Sequence, residues 1–399
     1  GKTADSEQTL KDMLALDNLA ESDRLWARRM QAVTMQQRGG YKNLLAALAL
    51  VEENLLADSA SLQDQRMKAI LLSSHPGRPE RQQAVRTLEN LLRGQASAVN
   101  ADRLLLANVY ESLGDWTSAS RHLRILAAAQ RPEPAALVAL LRGLLDRDQL
   151  REMAGPLARL EELAPASPAA IRLRIEWLAR NGQYDEAMAR IQAFRDRPAE
   201  PSADASSRDQ ETIALLESLG DSLHALEKTP QAEEFAGKIE TLFRELVNKH
   251  PDELLALAVW LTRQKRIDEA LDLTAKSWQD AELVRVQKTL MELQTATSQD
   301  GRQAGRLGKI AAAAADKHVR PASLVVVEAE AAAAAEDYER AEKCYRELLA
   351  KQPTNVVVGN NLAVLLALQD KKLDEADRLA NQAIESAGPN SSLLDTRAM

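Results

Sequence analysis

Cysteine is almost missing from this chain. Cys344 stands alone, which excludes an internal disulfide framework and any cysteine-built zinc site. Aromatic residues make up only 3% of the 399 positions. That is too few for a sandwich or barrel, whose strands draw on Tyr, Phe and Trp beside Val, Ile and Thr. No apolar run reaches the roughly 18 residues of a membrane-spanning helix. Positive charge is outweighed: 51 Lys and Arg face 59 Asp and Glu, for a net charge of −8. A general nucleic-acid binder is normally basic, so no nucleic-acid partner is expected.

Sites of familiar chemistry are missing as well. The histidines are His75, His122, His224, His250 and His318. None has a His, Cys or carboxylate partner at a spacing such as His-x-x-x-His, so no metal is expected. There is no Gly-x-Gly-x-x-Gly or Walker sequence to cradle phosphate, and no Gly-x-Ser-x-Gly elbow. Glu161-Glu162 and Glu233-Glu234 are acidic pairs among many, and nothing selects either for catalysis. We therefore expect no catalytic residue, no cofactor and no enzyme activity.

What the chain has in abundance is Ala and Leu in a helical rhythm. Apolar positions recur with period 3.6 in about 22 segments, from 6–20 to 391–399, broken by short runs of Gly, Pro, Asn or Asp. Single helices are predicted over 208–227 and 281–297. The alanine runs Ala311–Ala315 and Ala331–Ala335 are strong helix formers whose small side chains let neighbouring helices approach. Arg197 to Ser207 is rich in Pro, Ser and Ala, and reads either as an insertion between helices or as a hinge. Gly1 stands where an initiator Met would, and reads as a cloning remnant. Leu393 and Leu394 open a helix that stops after less than three turns, so the natural chain is expected to continue and this end to fray.

Five turns share one chemistry: Leu113 to Ala119, Asn181 to Ala187, Gln264 to Ala270, Ala335 to Ala341 and Asp370 to Ala376. In each, a Gly or polar residue closes one helix, an aromatic or aliphatic residue plugs the turn, and acidic residues favour the next N-terminus. The closing Ala lets the two helices touch. Ala119 to Ala187 is 68 residues, twice 34, and Ala341 to Ala376 is 35. Helix–turn–helix units with a period of about 34 are the tetratricopeptide signature.

The chain thus resembles the tetratricopeptide repeat family over nearly its whole length. Leu106, Ala107, Tyr110, Ala119 and Leu123 fill the family's slots in the unit from Asn100. Ile171, Ile175, Leu178, Ala187, Ile191 and Phe194 do so from Pro168, where Arg174 replaces the usual Leu. Val325, Ala329, Ala332, Ala341, Tyr345 and Leu348 fill the unit from Ala322. Met153 departs from the small residue expected in the unit from Pro134.

The resemblance implies an all-α, right-handed superhelical solenoid of about ten helix–turn–helix repeats, because one pair cannot cover its own apolar face. The expected organisation is degenerate repeats over 1–99, three regular repeats over 100–197 and a Pro/Ser-rich loop at 198–207. Longer degenerate pairs follow over 208–320, then two repeats over 321–388 and the start of another at 389–399. Trp116, Tyr110, Tyr184 and Tyr345 should be structural. Trp26, Trp177, Trp260 and Trp278 are core residues or groove anchors.

In such families the first helices line a concave groove that takes peptides or partner helices. Carried over, that face holds Leu104, Asn108 and Glu111, then Val138, Arg142 and Leu145, then Arg172, Glu176 and Arg180, and finally Asn360, Val364 and Leu368. Arg142, Arg172 and Arg180 form a positive patch suited to carboxylates, unless each is spent on neighbours such as Glu176. The family's clamp for a chaperone tail is not matched, because Leu104 and Ala139 stand where Lys and Asn belong. The implied function is a non-enzymatic scaffold that binds a protein or peptide. The alternative is the repeat region of a larger enzyme or export assembly, in the cytoplasm or a bacterial periplasm.

Overall fold

The computed structural model describes residues 2–16, 18–94, 99–197, 205–370 and 372–399. Residues 198–204 of the Pro/Ser-rich segment and Lys371 of the last turn lie outside them. Of the described residues 81% are helical, and no strand occurs among them. The helices begin with α1 (Lys2–Leu14), α2 (Glu21–Arg38), α3 (Tyr41–Ala57), α4 (Leu62–Ser73), α5 (Arg78–Arg93), α6 (Asn100–Ser112), α7 (Trp116–Ala128) and α8 (Pro134–Asp146). There follow α9 (Leu150–Leu163), α10 (Pro168–Arg180), α11 (Tyr184–Arg195), α12 (Ala205–Ser218), α13 (Gly220–His224), α14 (Pro230–Lys249), α15 (Leu254–Arg263) and α16 (Ile267–Ser277). The last are α17 (Leu283–Thr297), α18 (Gly301–Lys317), α19 (Ala322–Ala334), α20 (Tyr338–Lys351), α21 (Val356–Leu368), α22 (Leu373–Ala387) and α23 (Ser391–Ala398).

The helices fall into two compact units. One joins Gly1–Gly143 to Thr354–Met399; the other is Leu144–Pro353. In the first, α2 packs on α3, α4 on α5 and α6 on α7, while α2, α4 and α6 stack in turn. In the second, α15 pairs with α16, α17 with α18 and α19 with α20, and first helices again meet first helices. That is the pairing of a tetratricopeptide-type repeat.

The turns show why the pairs form. Gly114 and Gly182 take φ of 83° and 74°, and Lys265 and Glu336 take 61° at the equivalent place. This left-handed residue lets the next amide reach back over the helix end, satisfying a carbonyl that would otherwise be orphaned. Asp115 thus donates to Tyr110 at 2.9 Å, Gln183 to Leu178 at 2.9 Å, Arg266 to Leu261 at 3.0 Å and Asp337 to Ala332 at 2.9 Å. The Asp115 and Asp337 carboxylates then accept from the amides of Ser118 and Arg340, starting the second helix. Ala119, Ala187, Ala270 and Ala341 have no accessible surface, as contact points between paired helices require.

The core follows the repeat slots. Leu106, Leu123, Ile175, Ile191, Val325 and Leu366 are buried, with Met153 and Tyr345. Cys344 is buried too, and burial and the nearby Glu328 push its thiol up to about 11. The alanine runs meet where α18 packs on α19, burying Ala311, Ala314, Ala331 and Ala332. Trp260 and Trp278 are core residues, Trp177 donates to the Leu150 carbonyl at 2.9 Å, and Trp26 is half exposed.

One expectation is modified. The single helix predicted over 208–227 breaks into α12 and α13. The break frees main-chain carbonyls for α15: Arg263 donates to the Glu217 oxygen at 3.1 Å and Gln264 to the Gly220 oxygen. At the C-terminus, α23 is formed and capped, since Asn390 Oδ1 accepts from the Leu393 amide at 3.1 Å. Leu393 is buried in the packing of α23 on α21 and α22, while Met399 stays exposed. The same unit also packs α22 on α3. A Cβ at Gly388 would lie 2.7 Å from the Tyr41 ring, and Gly388 has φ of 81°, so both space and backbone demand glycine there.

Candidate functional site

The first helices of the second unit carry a ladder of charged side chains. Glu217, at the end of α12, is only 3% exposed, a costly place for a charge unless it is well paired. Arg285 of α17 donates to its Oε2 at 3.0 Å, and the Lys288 ammonium reaches Oε1. Arg285 also pairs with Glu253, just before α15. One step along, Arg263 Nε donates to Glu292 at 2.7 Å. Between α17 and α19, Gln287 donates to Ser323 Oγ at 2.8 Å, and Gln294 donates to Glu330. These bonds tie each first helix to the next.

The residues expected in the groove take mixed positions. Arg172 and Glu176 of α10 form an i,i+4 pair at 2.9 Å. Glu176 is buried and also accepts from Ser222 of α13 at 2.5 Å. Arg180 lies 3.6 Å from Asp148. Arg142 is exposed on α8 and belongs to the first unit, as do Asn108 and Glu111 on α6, exposed and half-buried respectively. Asn360 on α21 is buried, and its Oδ1 has no hydrogen-bond partner among the described residues. The structure thus joins Arg172 to Glu176, and couples that pair to Ser222, which sequence reasoning did not single out. Glu217, Arg263, Arg285 and Lys288 were also missed, because they lie in the degenerate segments and pair across 29, 68 and 71 residues.

One helix of this ladder presents a continuous exposed stripe. On α17, Val284, Lys288, Met291 and Thr295 are exposed at steps of four, three and four. That is one face of an α-helix. Val284 is 74% and Met291 54% exposed. Val286, Leu290 and Leu293 on the opposite face are fully buried and hold the helix in place. The stripe therefore offers two large apolar side chains around an ammonium whose three donors are only partly used. Among the described residues no group of three metal-ligating side chains occurs, and no helix is long and apolar enough to cross a membrane.

No protein-family model matches the chain, and no curated protein is similar to it in sequence. Solved structures do match. A chain of the Naa15/Naa10 complex bound to HypK-THB gives a TM-score of 0.35 at 18% identity, over 96% of this chain and 56% of that one. This chain therefore spans little more than half of its length. A chain of the APC/C hetero-tetramer Cut9-Hcn1 gives 0.35 at 16% identity, over 95% and 69%. The human IFIT1 dimer with m7Gppp-AAAA gives 0.38 at 12% identity, over 96% and 76%. The paired helices described above make the chain, in fold, a helical-repeat protein of tetratricopeptide type, and at TM-scores below 0.5 the likeness to these structures adds no argument.

Proposed function

We propose that this chain is a non-catalytic scaffold that recruits a partner protein through the first-helix face of its second unit. The observation that carries the reading is the α17 stripe of Val284, Lys288 and Met291. Large apolar side chains held out from a fixed helix are characteristic anchors of protein interfaces, and methionine adapts to varied partner surfaces. The Glu217–Arg285–Glu253 cluster beneath the stripe holds α17 in register with its neighbours, so little ordering cost is left for binding. Arg172 and Arg180 already face carboxylates of this chain and play a lesser part.

The test is site-specific photo-crosslinking of the intact chain in extract of its source cells. A photoreactive residue at Met291 should capture a discrete partner, and Val284→Asp should abolish the capture. The same group at Leu56, which is 88% exposed on α3, serves as the control. Identical products from both positions, or none from Met291, would remove α17 from the interface.

A further inference from the structure

The second unit contains a hollow of about 650 Å³ between the α9–α10 turn, α11 and the start of α12. That volume is within the range of ligand-binding clefts. Four arginines border it: Arg174, Arg190, Arg197 and Arg208. Two of them are matched by carboxylates. Arg174 holds Glu161 through two nitrogens, and Arg197 pairs with Glu211. The other two are not. Arg190 is exposed and has no ion-pair partner among the described residues. Arg208 donates to the Arg197 carbonyl at 3.1 Å, but its buried Nε has no partner among the described residues. Among the described residues that line it, four cations and two carboxylates leave an excess of two positive charges, in a chain of net charge −8.

Its other surfaces are apolar. Pro165, Pro168, Ile171 and Ala193 contribute, and Phe194 carries the Arg197 guanidinium 3.8 Å above its ring. A second hollow of about 630 Å³ shares Arg174, Arg190 and Ala193, and continues past Trp177, on which Arg174 stacks at 5.1 Å. Together they make an elongated trough with arginine forks along an apolar wall. Guanidinium forks suit carboxylates, and stacking on aromatics fixes their orientation in advance.

We propose that this trough binds an extended peptide segment in which acidic side chains alternate with apolar ones. A polyphosphate chain fits less well. Glu161, Glu186 and Glu211 stand among the arginines and would repel an unbroken run of phosphates, whereas a peptide can place its carboxylates only beside Arg190 and Arg208. The site is built from the α9–α10 turn, α10, α11 and the start of α12. It is separate from the α17 stripe, and the proposal does not rest on the function assigned to that stripe.

A displayed library of short random peptides, selected against the intact protein and counter-selected against Arg190→Glu/Arg208→Glu, tests this. Recovered sequences should place Asp or Glu beside Leu, Ile or Phe. A synthetic member should bind about tenfold or more weakly to Arg190→Glu, and equally well to Leu56→Asp, a change at an exposed position on α3. Arg190→Gln, a milder change at an exposed position, should weaken binding in the same direction, with helicity by circular dichroism unchanged. The proposal is overturned if counter-selection leaves no peptide or if recovered peptides lack acidic residues. It is equally overturned if Arg190→Glu binds normally, or if a short uridine RNA binds the trough in preference to the peptides.

Discussion

The carboxylate of Asp64 sits at the meeting of three helices and has no accessible surface. Arg29 of α2 donates to it through Nε at 2.8 Å and Nη2 at 2.6 Å. Asn54 of α3 donates at 3.1 Å, and Ser61 Oγ, which caps α4, at 2.6 Å. Burial alone would raise this carboxyl, but the bonds from Arg29, Ser61 and Asn54 outweigh it and hold it below the ordinary carboxylate range. Arg29→Met should therefore leave a buried charge without its cation, at a cost of about 3–5 kcal/mol. Hydrogen exchange reads local opening without requiring the whole chain to unfold at once. Protection across α2–α4 should fall by about a hundredfold to a few thousandfold at neutral pH, at roughly 1.4 kcal/mol per decade.

The pH dependence has a definite sign. In the parent chain the depressed carboxyl stabilises the fold at and above the unfolded value near ~3.9, and this is lost as pH falls through the folded value. In Arg29→Met burial dominates, the carboxyl is raised, and acid relieves the penalty. The gap between the two proteins should therefore narrow toward about pH 4 and below. Arg29→Met/Asp64→Leu, which removes both charges, should recover most of the lost protection. A single variant that loses less than about tenfold, or a double variant no better than the single, would refute the account of Asp64 as a staple.

Lys265→Gly and Glu336→Gly should each stabilise the fold by about 0.5–1 kcal/mol net, read as a higher urea midpoint. Glycine removes a left-handed penalty of ~1–2 kcal/mol and gives back part of it in chain entropy. Ala119→Leu, Ala187→Leu and Ala341→Leu should each overpack a helix contact and cost roughly 1–3 kcal/mol, read as lower denaturation midpoints. Cys344 should resist iodoacetamide at pH 8 in the native protein and react in urea, because its buried thiol ionises only near 11. Gly388→Ala should speed amide exchange in α22 and α23 while leaving α17–α20 unchanged, since the added methyl meets the Tyr41 ring.

Helix pairing was legible because its signals are local. The glycine of Leu113-Gly114-Asp115 and the alanine five positions on specify a turn and a contact without reference to the rest of the chain. Lys265 and Glu336 occupy the same backbone position with no sequence mark of it, yet the flanking Ile267 and Tyr338 let the motif be read. The charged ladder was not legible. Glu217 finds Arg285 and Lys288 across more than sixty residues, and such pairs have no fixed spacing. Glu176 was expected on an open face, but the short helix α13, which follows an unforeseen break, brings Ser222 against it. The arginine trough also escaped notice, because its four cations come from three helices and the end of a fourth segment.

The packing of α22 against α3 has a consequence for how the protein is made. These helices share a unit but are separated by more than three hundred positions along the chain. The ribosome adds roughly 5–20 residues per second, so α3 leaves the exit tunnel tens of seconds before α22 exists. Throughout that interval Tyr41 waits without the glycine that will cover it. The first unit cannot be completed during translation until α22 has been made. Its early helices must survive on their own pairings, and a chaperone that shields them until α22 emerges would serve this unit more than the one between.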